Sequence, residues 1–151
     1  MPRKHRFLGL AFTAFTLMTT AALAGGSIHV LKSASCGCCV AWMKHMSESG
    51  FAVTAENVPM ADLMSAKTDA GLPADQASCH TARIDGYVIE GHVPATDVKR
   101  LLAERPDAIG LAVPGMPYGS PGMGEPGPDA DPYDVNLVRR GGTIETFASY
   151  R

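Results

Sequence analysis

Ser35-Cys36-Gly37-Cys38-Cys39 is the stretch on which the fold and the chemistry of this chain turn. It puts three of the four cysteines within four positions. An apolar, β-branched run at residues 27–32 precedes it. The stretch that follows, residues 40–49, has helical periodicity. A strand that delivers cysteines to the start of a helix favours thiolate there, because unpaired N–H groups and the positive end of the helix dipole stabilise the anion. Thiolate attacks disulfides and also binds soft metals. The rest of the sequence bears on which of these the protein does.

Residues 40–49 carry Trp42, Met43 and Met46 at 3–4 spacing from Cys39, with Lys44, His45 and Glu48 on the other side, and Gly50 stops the helix. Residues 51–58 read as a second strand ended by Pro59. Residues 61–69 read as a second helix with Leu63 and Met64 inward. Two strands, residues 81–84 and 87–90, flank Asp85-Gly86, a two-residue hairpin signal. Residues 96–104 read as a third helix with Thr96 as N-cap. Residues 115–132 are rich in Gly and Pro and read as an irregular loop. Residues 135–138 and 143–147 complete a last hairpin. His29 lies opposite Ile28 and Val30, which gives it a solvent-facing or strand-edge role.

The element order is that of an α/β, thioredoxin-like domain with an added C-terminal Gly/Pro-rich loop and β-hairpin. In that architecture the loop before the third strand packs against the cysteines at the first helix. Here the loop is Ala77-Ser78-Cys79-His80, so chain order alone brings the fourth cysteine to the other three.

The first 24 residues read as a secretory signal peptide. Arg3, Lys4 and Arg6 form a basic start, residues 7–22 are uncharged and mostly apolar, and Ala22-Leu23-Ala24 is a cleavage pattern. Removal leaves a domain spanning residues 27–151, with a net charge near −5 against −2 for the whole chain. An exported, mildly acidic domain fits a bacterial periplasm and leaves no membrane attachment after cleavage. The charge balance and the lack of a basic cluster beyond the first six residues speak against nucleic acid as a partner. There is no H-E-x-x-H, P-loop or G-x-S-x-G pattern.

Two chemistries compete for the cysteines. Cys36 and Cys39 form a C-x-x-C pair, the spacing of thiol–disulfide exchange, with Cys36 attacking and Cys39 resolving. That scheme leaves Cys38 and Cys79 unused. A metal site uses all four. Adjacent Cys38 and Cys39 are not expected to point at one centre, so they suit bridging thiolates better than one tetrahedral zinc. Soft Cu(I) accepts thiolate and thioether ligands. His45, His80 and His92 are candidate neighbours, and Met116 and Met123 lie in the Gly/Pro loop with no core to fill. A zinc or structural thiolate site is a third reading.

The strings C-G-C-C-x-x-W-x-x-H (36–45), S-C-H-T (78–81), G-Y-V-I-E-G-H-V-P (86–94), G-L-A-V-P-G-M-P-x-G-S-P-G-M (110–123) and D-P-Y-D-V (131–135) occur in this order. Over nearly the whole mature chain the sequence resembles the CopG-type periplasmic copper-resistance family, a bacterial family described as a domain of unknown function. The resemblance implies a thioredoxin-like fold with a cysteine-bridged copper site of more than one Cu(I) ion. Carried over by position, Cys36, Cys38, Cys39 and Cys79 are its ligands, extended to His45, His80 and Met123. One departure follows Met123, where Gly124 intervenes before Glu125. The implied role is copper resistance, with redox coupling and with an exporter or a periplasmic copper oxidase or chaperone as candidate partners.

Overall fold

The computed structural model describes residues 25–151. The expected signal peptide and its cleavage site lie outside them. The chain forms β1 (Gly25–Lys32), α1 (Gly37–Glu48), β2 (Phe51–Asn57), α2 (Met60–Asp69), a single 3-10 turn (Ala74–Gln76), β3 (His80–Ile84), β4 (Tyr87–Glu90), α3 (Ala95–Glu104), β5 (Gly110–Ala112), β6 (Tyr133–Val138) and β7 (Ile144–Tyr150). The strands make one mixed seven-stranded sheet in the order β2-β1-β3-β4-β5-β6-β7. β1 and β2 run parallel, β3 antiparallel to β1, and β3–β4 is an antiparallel hairpin. Asp85 and Gly86 both have positive φ, as a two-residue hairpin turn requires.

β5 has no counterpart in the sequence reading. It is three residues long, and its wholly buried Gly-Leu-Ala shows no alternation. Its pairing with β4 and β6 makes it a strand. Through β5 the C-terminal hairpin extends the same sheet.

α1 buries Cys39, Trp42 and Met46 along one stripe, as the 3–4 spacing predicts. It begins at Gly37, three residues earlier than the sequence pattern suggested, so Cys38 and Cys39 lie inside its first turn. α2 differs from expectation. Leu63 and Lys67, four residues apart, form its buried row, while Met64 is 46% exposed. A lysine at a core position breaks the apolar pattern and shifts the apparent inward face.

α3 starts at Ala95, with Pro94 in the cap position and no side-chain cap bond from the helix's own N-terminal residues. Thr96 is therefore not the N-cap. The free N–H of Ala95 instead donates to His45 Nε2 at 3.1 Å, so a histidine of α1 satisfies a helix end fifty residues away. Among the described residues, no helix is long and apolar enough to cross a membrane.

The candidate metal centre

The C-terminal end of β1 delivers the chain into α1. Cys36 is the N-cap, and its Sγ accepts the Cys39 N–H at 3.3 Å. His80 pairs with Lys32 in the β1–β3 register, so the residue before it, Cys79, arrives beside the start of α1. Cys79 Sγ lies 3.8 Å from Cys38 Sγ and 3.6 Å from Cys39 Sγ. Cys38 Sγ is 3.5 Å from Cys36 Sγ. All four sulfurs fall within 4.8 Å of one another.

Cys38 and Cys39 thus both face Cys79, contrary to the expectation that adjacent thiols diverge. Successive helical positions are about 100° apart. A third sulfur beyond the first turn can sit between two such directions without backbone distortion.

Cys36 and Cys39 are joined as a disulfide, leaving Cys38 and Cys79 as free thiols. Burial pushes the Cys79 thiol up to about 11, helped by the neighbouring Cys38 and opposed by a hydrogen bond from Ser78. An isolated thiol held this high stays protonated at neutral pH, and a cation at the site would reverse that.

The strand side of the site is built of imidazoles. His92 Nε2 is 3.1 Å from Cys79 Sγ, and His92 Nδ1 is 2.8 Å from the Pro121 carbonyl. A carbonyl only accepts, so Nδ1 carries the proton and the Nε2 lone pair faces the sulfur. A backbone carbonyl that fixes the tautomer in this way is the usual outer support of a metal-binding histidine. Burial lowers the His92 pKa, partly offset by Pro121. His80 Nδ1 is 3.4 Å from Cys79 Sγ. Its ring packs on Trp42 at 4.4 Å between centroids, and its buried Nε2 makes no hydrogen bond among the described residues. Burial, with His92 and Lys67 adding to it, holds His80 down at about 3, so the ring is neutral at physiological pH. Cys79, His80 and His92 form a second group whose ligand atoms lie within 4.8 Å of one another.

Two loops close the centre. The Gly91–Pro94 turn is anchored by the Trp42 indole N–H, which donates to the Val93 carbonyl at 2.9 Å. Gly122, at φ +86°, packs on the first turn of α1, where a Cβ would lie 2.6 Å from Trp42 N and 2.9 Å from the Cys38 carbonyl. Only glycine permits this approach. It brings Pro121 to His92 and leaves half-buried Met123 one residue further on. Met116 is exposed, next to Gly115, whose carbonyl accepts from Ser78 Oγ.

Of the residues expected at the site, the structure gathers the four cysteines and His80. His45 stands apart, because its Nε2 lone pair accepts the Ala95 N–H. His92, which the sequence flagged without choosing, faces Cys79 as closely as any donor does. Its signal was the position two residues past Glu90, in the turn after the strand that pairs with the Cys79 strand. The donor set of four sulfurs and two neutral imidazoles fits a soft monovalent ion or zinc and does not fit a hard, oxygen-seeking cation.

Fold and site together define a mixed α/β domain with a thiol–imidazole cluster of metal-binding type. Two solved structures named "Copper resistance protein copG", forms 1 and 2, share 45% and 46% identity with the chain. They cover 83% and 84% of it and 98% and 99% of their own length, with TM-scores of 0.77 and 0.76. The family model described as "Protein of unknown function, DUF411" matches residues 76–123, from the 3-10 turn to Met123. No curated protein sequence matches. The chain belongs to the CopG copper resistance protein family.

Proposed function

We propose that the protein is a periplasmic copper-binding protein of copper resistance that takes up more than one Cu(I) ion through Cys36, Cys38, Cys39 and Cys79. The observation that carries this reading is the convergence of four sulfurs within 4.8 Å, overlapping at Cys79 with a second group formed with His80 and His92. Two groups sharing one sulfur suit a bridging thiolate between soft ions. Met123 adds a thioether from the loop that lies on α1. Copper here is cargo. Cu(I) brings charge that thiolates neutralise, so the thiols lose their protons on loading.

Several finer parts belong to the same proposal. The order β2-β1-β3-β4, with β1 and β2 parallel and β3 and β4 antiparallel, supports a thioredoxin-like core. The basic, apolar and A-x-A pattern of residues 1–24 supports export. An exporter or a periplasmic copper oxidase or chaperone would give or receive the ion.

The test is an anaerobic Cu(I) titration of the reduced protein lacking residues 1–24, followed by X-ray absorption. The expected result is more than one ion per chain with mainly sulfur ligation. Fewer than one ion per chain would end the proposal.

One observation favours a second reading, thiol–disulfide exchange. Cys36 and Cys39 are bonded, and a free thiol lies within 3.6 Å of each, Cys38 against Cys36 and Cys79 against Cys39. The bonded pair cannot supply thiolates until it is reduced, so loading the full set is itself coupled to redox state. Insulin reduction by the metal-free protein, persisting in Cys38→Ser, would favour this alternative.

A further inference from the structure

Lys67 and Glu90 form an ion pair with side chains only 4% and 0% exposed. Neither residue has a role in the reading above. A buried ion pair is weak evidence for stability, because apolar residues of similar volume often do as well or better. The partners of this carboxylate show what it does here. Glu90 Oε1 accepts the Ser78 N–H at 2.7 Å and the Lys67 ammonium. Glu90 Oε2 accepts the Thr81 hydroxyl at 2.7 Å, and Lys67 Nζ donates to the same hydroxyl oxygen at 2.8 Å. Ser78 and Thr81 bracket Cys79 and His80 in sequence. One carboxylate therefore grips the chain on both sides of two candidate donors. Glu90 sits opposite Thr81 in the β3–β4 register, and Gly91, next to it, donates its N–H to the His80 carbonyl at 3.1 Å.

We propose that Glu90, held by Lys67, is a positioning residue that sets the Cys79 sulfur against Cys38 and Cys39. Its consequence for copper rests on the metal-binding reading, whereas its consequence for Cys79 itself does not. Glu90 touches no sulfur, and it acts through Ser78 and Thr81. With the carboxylate changed to an amide, one of the two oxygens becomes an NH₂ donor, which faces either the Thr81 hydroxyl or the Ser78 N–H and the Lys67 ammonium, so the grip on one side of Cys79–His80 is lost.

The experiment compares wild type with Glu90→Gln in two arms. The first keeps the Cys36–Cys39 disulfide intact and follows iodoacetamide labelling by peptide mass spectrometry. Cys38 in the same molecules is the internal standard. The expected result is a Cys79-to-Cys38 labelling ratio raised by about tenfold or more, as a locally freed segment allows. The second arm loads the reduced proteins with Cu(I) and records the near-ultraviolet thiolate-to-copper absorption. The expected Glu90→Gln spectrum resembles that of Cys79→Ser. A folded Glu90→Gln with a wild-type labelling ratio and a wild-type copper spectrum overturns the proposal. If Glu90→Gln does not fold, Thr81→Val decides on the same labelling ratio. It removes one arm of the grip and keeps the ion pair, so a rise of about threefold is expected, and an unchanged ratio overturns the proposal. Should wild type itself bind no copper, the functional reading falls while the labelling arm still judges the clamp.

Discussion

The two walls of the candidate site are built differently. The helix wall, Cys36, Cys38 and Cys39, comes from four consecutive residues at the N-terminus of α1, and local backbone geometry presents it. The strand wall, Cys79, His80 and His92, is assembled from the ends of β3 and β4 and steadied by three residues, two of them from other segments. Pro121 orients His92, Trp42 packs on His80, and Glu90 grips the chain around Cys79. A wall made by one helical turn should tolerate change elsewhere in the molecule. A wall made by long-range polar contacts should be the part that mutation and pH can disturb, whereas redox state acts on the helix wall through the Cys36–Cys39 disulfide. The difference also separates capture from tuning. Once its disulfide is reduced the helix wall supplies three soft donors, and the strand wall decides whether they form a shared cluster.

Cys79→Ser breaks the comparison most severely, because it removes the sulfur common to both groups. Its Cu(I) affinity, measured by competition with a chromophoric chelator, should fall by more than about 100-fold, beyond the range usual for loss of an outer-shell partner. An unchanged affinity would mean that the helix wall binds alone.

His92→Gln tests the strand wall without touching sulfur. The expected loss is about 10- to 100-fold in the same assay, with the Cys36–Cys39 pair unaffected. A change smaller than about threefold would leave His92 a packing residue.

A third measurement sets the walls against acid. Burial holds His80 at about 3 and lowers His92 and His45 from the ordinary 6.5. The unfolded chain takes up protons near 6.5, and the folded chain takes them up only further down. The stabilisation is therefore complete above 6.5 and is lost as pH falls below it. Urea unfolding of metal-free protein from about pH 7.5 to about pH 5 should show a loss of about 2 kcal/mol from His80 alone. A flat profile would contradict the burial of the strand-wall imidazoles.

His45→Ala has the smallest expected effect, and it sharpens the comparison by lying in neither wall. Loss of its bond to the Ala95 N–H should cost about 1 kcal/mol in stability, the size of an N-cap loss. Copper uptake should stay at the wild-type level. A loss of copper affinity in a stable His45→Ala would return this residue to the ligand set.

The legible parts of the fold were those with a local cause. Periodicity marked α1, the Asp85-Gly86 turn marked the β3–β4 hairpin, and glycine and proline marked the loop over residues 115–132. β5 escaped because three buried residues show no alternation. Met64 was placed inward because a buried Lys67 disguised the inner face of α2. Thr96 looked like an N-cap because the acceptor that serves α3 comes from another helix. In the site, Cys79 was legible from chain order alone, whereas His92 differed from His45 only through which partner each ring meets.

From the sequence alone came the thiol triplet at the start of a helix, the fourth cysteine before the third strand, and the competition between metal and disulfide chemistry. These follow from residue type, spacing and element order, which are properties of the chain as a line. Only the folded molecule separated the histidines, turning His92 toward sulfur and His45 toward a helix end. Only it tied a buried carboxylate to the chain around Cys79. Hydrogen-bond direction and burial depend on neighbours 12 to 50 residues away, and such neighbours exist only in three dimensions.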